Sequence, residues 1–158
     1  MTDAVSEAKT GDGLLVATFQ LGDGAFGIDT GLVQEVVLPG ELTPVHHAPR
    51  YVAGIRNLRG RIVTVMDLRV RLELGAVEPG PENRILIVDW KGEPVGLLVD
   101  SVADTVAVED GRLDPPPANL HGVQGRDLRG VLRGEGRLVA VLDPAAVLDV
   151  DAAPLSTG

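Results

Sequence analysis

Gly54-Ile55-Arg56-Asn57-Leu58-Arg59-Gly60-Arg61-Ile62-Val63-Thr64-Val65-Met66-Asp67-Leu68-Arg69 reads as two strands closing on a tight polar tip. From Ile62 to Met66 every residue is β-branched or apolar, which predicts a well-buried strand. Gly54 and Gly60 bracket the tip, where the backbone needs a positive φ or a close approach to a neighbour. Asp67 then caps a short helix, with Leu68 and Leu72 on one face and Gly75 past its end.

Composition allows such strands to make a core. At 158 residues the chain suits one domain or two small fused halves, and a chain of this size buries roughly 70% of the surface it exposes when unfolded. Hydrophobic residues are 44% but aromatics only 3%, so Val, Leu and Ile must build the interior, which favours strands. The absence of cysteine removes disulfides, thiol catalysis and Cys-based zinc sites, and fits a reducing compartment. A net charge of −9 argues against nucleic-acid binding, which needs a basic surface. The apolar runs fall far short of the roughly 20 residues a membrane span requires, and Met1–Gly13 holds no apolar signal core. The reading is a soluble, cytoplasmic protein with no direct membrane insertion.

Working outward, residues 1–13 form a polar flexible tail. Strands are expected at Leu14–Leu21, Ala25–Asp29 and Leu32–Leu38, the first two joined by Gly22-Asp23-Gly24, and Pro39-Gly40 ends the third. Gly75–Asn83, with two glycines and two prolines, is the expected link between halves, giving units at 14–76 and 84–150 around a linker at 77–83 and a tail at 151–158. Further strands are expected at Arg84–Trp90, Val95–Asp100, Val102–Val108 and Arg137–Leu142, with Lys91-Gly92-Glu93-Pro94 as a turn. Asp114-Pro115-Pro116-Pro117 must be loop, and Asp143-Pro144 starts a second short helix.

The two halves repeat. Gly60-Arg61-Ile62-Val63-Thr64-Val65-Met66-Asp67 matches Gly136-Arg137-Leu138-Val139-Ala140-Val141-Leu142-Asp143 at an offset of 76 residues (60 to 136). Phe26-Gly27-Ile28 fits Val95-Gly96-Leu97, and Val33-Gln34-Glu35-Val36 fits Val102-Ala103-Asp104-Thr105, both at an offset of 69 (26 to 95). Duplicated units of short strands with close-spaced turns predict a mainly β chain of two similar small barrels or sandwiches, with strands free to cross between halves.

Chemistry is sparse. Gly22-x-Gly24-x-x-Gly27 has dinucleotide-fingerprint spacing, but it joins two strands where that mechanism needs a helix N-terminus. His46 and His47 are adjacent and point to opposite faces of an extended segment, a poor start for a shared metal. Asp100-Ser101 lacks a nucleophile elbow, and Glu109-Asp110 reads as a solvated turn. No catalytic residue, cofactor or metal site is expected. On these residues alone, Glu35 and Arg59 read as solvated surface charges, whose pairing would contribute only about 0–1 kcal/mol.

The opening stretch resembles the central motif of the CheW family, the coupling proteins of bacterial chemotaxis. Phe26-Gly27-Ile28-Asp29 with Val33-Gln34-Glu35-Val36, then Val95-Gly96-Leu97-Leu98-Val99-Asp100-Ser101-Val102, then Gly136–Asp143, resemble its other blocks in the same order, from about Leu14 to about Val150. The resemblance implies two SH3-like five-stranded β-barrels packed together. It also implies a non-catalytic adaptor that couples methyl-accepting chemoreceptors to the regulatory domain of a CheA-type histidine kinase at membrane-associated arrays. The implied receptor-facing residues are Val33, Glu35, Gly54, Asn57, Leu58, Arg59 and Val102, which would meet the chemoreceptor's cytoplasmic hairpin tip. The implied kinase-facing residues are Asp114 and Leu120. Thr105 stands where a large aliphatic is common, and Ala118-Asn119-Leu120 where an aromatic is, so the first half resembles the family more closely than the second. An adaptor of a parallel pathway controlling pili or gliding fits the same residues, and a small-molecule-binding β-barrel is the alternative of a different class.

Overall fold

Strands form where the sequence alternates or runs apolar, in a computed structural model that describes residues 14–108, 113–134 and 136–149. The elements in chain order are β1 (Leu14–Leu21), β2 (Gly24–Asp29), β3 (Val33–Val37), β4 (Val52–Leu58), β5 (Arg61–Asp67) and the short helix α1 (Leu68–Arg71). Then follow β6 (Arg84–Trp90), β7 (Glu93–Val99), β8 (Ser101–Val108), β9 (Asn119–Leu120), β10 (Val123–Gln124), β11 (Leu128–Gly134), β12 (Arg137–Leu142) and α2 (Pro144–Leu148). Asp67 caps α1 by accepting from the Arg69 and Val70 amides, and Asp143 caps α2 in the same way, as the repeat requires.

The strands make two five-stranded sheets and a small β9–β10 ribbon. The first sheet runs β11-β12-β2-β1-β8 and the second β3-β6-β7-β5-β4. Residues 77–83 therefore do not separate them. Strands β5 and β7 are parallel neighbours, and parallel neighbours cannot be joined by a tight turn. The chain leaves β5 through α1, runs through 77–83 and returns by the β6–β7 hairpin, so the segment that links the two halves in sequence also forms a crossover inside one sheet. It is also stapled. Val77 is buried and its N–H donates to Asp67 Oδ2 at 3.1 Å. Each repeat gives its first two strands to one sheet and its last three to the other, an exchange between the 14–76 and 84–150 halves.

Pairing registers carry the repeat. Thr64↔Val95 in the parallel β5–β7 pair corresponds, at the two offsets, to Ala140↔Phe26 in the parallel β12–β2 pair. The register shift between Val52 and Gly54 recurs between Leu128 and Gly130, and the shift between Val33 and Glu35 recurs where β8 meets β1. Closure is repeated as well. Thr43, beyond edge strand β3, bridges to Ile55 on the opposite edge strand, and Asp114, beyond β8, bridges to Val131 on β11. Both sheets thus curl until their edges meet, as small barrels do.

Three clusters fill the structure. Val63, Val65, Ile85 and Ile87 fill the curl of the second sheet, and Leu14, Val16, Ala25, Val108, Val139 and Val141 fill that of the first. The largest cluster lies on the opposite faces, where Phe19, Phe26, Ile28 and Leu142 of the first sheet join Met66, Leu86, Val88 and Leu97 of the second. Ile85-Leu86-Ile87-Val88 is apolar without alternation because β6 buries both faces.

Some sequence expectations fail for physical reasons. Ile62 is 62% exposed, since alternation turns it away from Val63 and Val65 and nothing among the described residues covers it. The turn at residues 91–94 narrows to Lys91-Gly92, both at positive φ. Pro94 belongs to β7, at an end where β5 has not yet begun to pair, so its missing N–H interrupts no bond on that side. Strands β9, β10 and β11 form without a strong local apolar run, although Gly130-Val131 of β11 is the repeat of Gly54-Ile55. The expected tails and the Glu109-Asp110 turn lie outside the described residues.

Candidate functional site

The chain passes between the sheets twice. Thr30–Leu32, a single 3-10 turn, leads from β2 to β3, and Asp100 alone leads from β7 to β8. Val33 is the first residue after one crossing, and Val102 follows the other by two residues. Both are half-buried and both pack against the central cluster shared by the two sheets, Val33 opposite Val88 and Val102 opposite Phe19. The repeat thus brings two equivalent valines to one apolar seam.

The β4–β5 tip is a two-residue turn. Arg59 (φ 52°) and Gly60 (φ 86°) both take the left-handed conformation that a type I′ hairpin turn demands. Asn57 Oδ1 accepts from the Gly60 N–H at 3.0 Å, so this side chain closes the turn. From the tip, the Arg59 guanidinium pairs with the Glu35 carboxylate on β3. Arg56 reaches the same way, donating to the Leu38 carbonyl at 3.3 Å. Because β3 and β4 are the two edges of the second sheet, these arginines tie its edges together. The Arg59 side chain remains 68% exposed and that of Glu35 34%, so the pair contributes about 0–1 kcal/mol to stability. Its charges stay available to a partner.

The other expected site residues divide. Gly54 is buried at φ 149°, and a Cβ there would stand 2.7 Å from the Thr43 carbonyl oxygen, so this glycine permits the Thr43–Ile55 bridge. Leu58 packs against the cluster inside the second sheet. Neither is presented outward as Arg59 is. Asp114 is exposed and accepts from Arg133 Nε at 2.7 Å, whereas Leu120 packs on the central cluster. Those two make separate contacts, with Leu120 serving the interior.

Other exposed or half-buried groups carry no local signal in the sequence. Val36 on edge strand β3 and Leu38 just past its end are 44% and 61% exposed, an apolar edge that the intervening Val37, turned inward, conceals from a simple count. Trp90, the chain's single tryptophan, is half-buried against the central cluster with Lys91 5.5 Å from its ring centroid, and its indole N–H finds no partner among the described residues. Lys91 in turn pairs with Asp149 at 3.0 Å, joining the β6–β7 hairpin to the end of α2.

Candidates for metal or nucleotide chemistry do not assemble. His46 and His47 are exposed with ring centroids 6.5 Å apart, and no group of three or more His, Asp or Glu that could hold a metal exists among the described residues. Gly22 and Gly24 lie in and beside the β1–β2 hairpin turn, as expected, and a cavity of about 380 Å³ beside them is lined by Leu21, Asp23, Arg69, Leu74 and His121. No helix among the described residues is long and apolar enough to cross a membrane.

Two curled five-stranded sheets that exchange strands around an apolar seam define a small recognition module of the CheW type. The chain belongs to the CheW-like family: the CheW-like domain matches residues 15–152. It is 36% identical over 143 residues to a chemotaxis protein CheW of Rhizobium meliloti (strain 1021), covering 90% of this chain and 92% of that protein. With a chemotaxis protein CheW of Bacillus subtilis (strain 168) the identity is 30% over 144 residues, 91% of each chain. The crystal structure of the scaffolding protein TtCheW from Thermoanaerobacter tengcongensis superposes with a TM-score of 0.79 at 27% identity, covering 88% of this chain and 90% of that one. The general role that these relatives support is that of a chemotaxis scaffold.

Proposed function

We propose that this chain is a non-catalytic, cytoplasmic adaptor that couples chemoreceptors to a CheA-type histidine kinase at membrane-associated arrays. The receptor's cytoplasmic hairpin tip lies along the seam, with Val33 and Val102 against the apolar face of a helix. Arg59 and Glu35 fix the register of that contact by charge, which governs specificity and encounter more than affinity. Asn57 shapes the tip that carries Arg59, while Gly54 and Leu58 hold that tip from within. The kinase's regulatory domain meets the segment from Asp114 to Leu120, Asp114 facing it and Leu120 anchoring the segment to the core.

The observation that carries this reading is the placing of the two repeat-equivalent valines on one shared apolar cluster, each just after a crossing between sheets. Arg59→Glu tests it. The substitution sets two acids against each other at an exposed pair, so the fold changes by no more than about 1 kcal/mol. Titration against a soluble chemoreceptor hairpin should show weakened binding, with the thermal melt nearly unmoved. Unchanged receptor affinity would remove Arg59 from the site.

A further inference from the structure

Asp100 is the single residue joining β7 of the second sheet to β8 of the first, and both sheets hold it. Its N–H donates to the Gln20 carbonyl on β1 at 3.1 Å, and its Oδ2 accepts from the Gly22 N–H in the β1–β2 turn. From the other side, Asn83 Nδ2, just ahead of β6, donates to the Asp100 carbonyl at 3.2 Å, and the Arg69 guanidinium on α1 lies 3.4 Å from Asp100 Oδ2. Arg69 is itself anchored by donating to the Leu74 carbonyl at 3.0 Å. Neither side chain is exposed beyond about a quarter, at 20% for Arg69 and 23% for Asp100. At the offset of 69 the position equivalent to Asp100 is Gly31, and the other crossing carries its carboxylate two residues earlier, on Asp29, which accepts from the Gly31 N–H at 2.8 Å and lies 3.9 Å from the Arg129 guanidinium.

We propose that Arg69 and Asp100 are positioning residues for partner recognition. They latch the β7–β8 crossing, fix the first residues of β8, and so set where Val102 meets the seam. The receptor touches neither residue, yet its affinity depends on both. This rests on the receptor reading of the seam given above. A single connecting residue has few ways to move, and with Oδ2 shared between Gly22 and Arg69 it has one arrangement that satisfies both sheets. Removing either partner frees the start of β8 while the sheets keep their clusters.

The test compares Asp100→Asn, Arg69→Met, Arg69→Lys and the Asp100→Asn/Arg69→Met double variant in the full chain. Three measurements are made: amide exchange at Ser101–Thr105, affinity for a soluble chemoreceptor hairpin, and affinity for the kinase regulatory domain. Exchange at the start of β8 should quicken in both charge-removing single variants, and receptor affinity should fall about tenfold, a difference of about 1.4 kcal/mol. Kinase affinity should stay within about twofold, and the double variant should be no worse than either single one, as expected for residues acting as one unit. Arg69→Lys should recover part of the loss. Unchanged exchange at Ser101–Thr105 overturns the latch whatever the receptor does. A parallel fall of both affinities with melting temperature also overturns it, because a general loss of stability would do the same. Failure of the unsubstituted chain to bind the hairpin refutes the receptor reading instead, and the exchange measurement still decides the latch.

Discussion

Asp67 and Asp143 occupy equivalent places in the repeat, yet their loss should cost different amounts. Both cap a short helix: Asp67 Oδ1 accepts from the Arg69 and Val70 amides at 3.0 and 3.2 Å, and Asp143 Oδ1 from the Ala145 and Ala146 amides at 3.0 and 3.4 Å. Replacing such a cap by alanine costs about 1 kcal/mol. Asp67 has a second duty, since its Oδ2 accepts from the N–H of buried Val77 and pins the crossover segment inside the second sheet. A buried donor left without a partner costs a further amount of roughly 1–3 kcal/mol. Asp67→Ala should therefore destabilise by about 3 kcal/mol and Asp143→Ala by about 1 kcal/mol. For a domain of this length those losses lower the melting temperature by roughly 6–12 °C and 2–4 °C. Urea unfolding followed through the single tryptophan, Trp90, and through far-ultraviolet circular dichroism would give both values. Equal losses, or a larger one at Asp143, would refute the role assigned to the Asp67–Val77 bond.

Gly96→Ala would place a Cβ 2.8 Å from Ile85 Cγ2 and 3.2 Å from Val65 Cγ2, so overpacking of about 1–3 kcal/mol is expected, readable as a lowered thermal midpoint. The equivalent Gly27→Ala, with its Cβ 2.3 Å from Val16 Cγ1, should behave alike. On β5, Ile62→Lys should change stability by less than about 0.5 kcal/mol because Ile62 is exposed, while Val63→Ala, at a buried position, should cost more than about 1 kcal/mol. Chemical denaturation of the two variants side by side measures that contrast, and a costly Ile62→Lys would contradict the facing of the strand.

Much of this was legible because short-range chemistry decided it. Strands at Leu14–Leu21, Arg84–Trp90 and Arg137–Leu142 follow from local apolar runs, and both helix starts from an aspartate before a short apolar segment. The offsets of 69 and 76 residues reappear as pairing registers, because equivalent residues meet equivalent neighbours. The exchange of strands was not legible in detail. A proline- and glycine-rich stretch such as residues 77–83 looks the same as a linker or as a crossover, and the buried Val77 bond that distinguishes them is a long-range fact. The same limit hid the partial burial of Leu58 and Leu120 and the exposure of Ile62, which depend on what the curl of each sheet covers. The Arg59–Glu35 pair joins residues 24 positions apart, and their nearness followed from the family resemblance, not from their spacing.

The most direct test of the adaptor reading is a co-sedimentation measurement. Vesicles carrying a chemoreceptor are mixed with the histidine kinase, with and without this protein, and the kinase in the pellet is quantified. Kinase should sediment with the vesicles only when this protein is present, and the amount should rise to saturation with added protein. Kinase recovery that does not depend on this protein, at concentrations where the protein is folded, would contradict it.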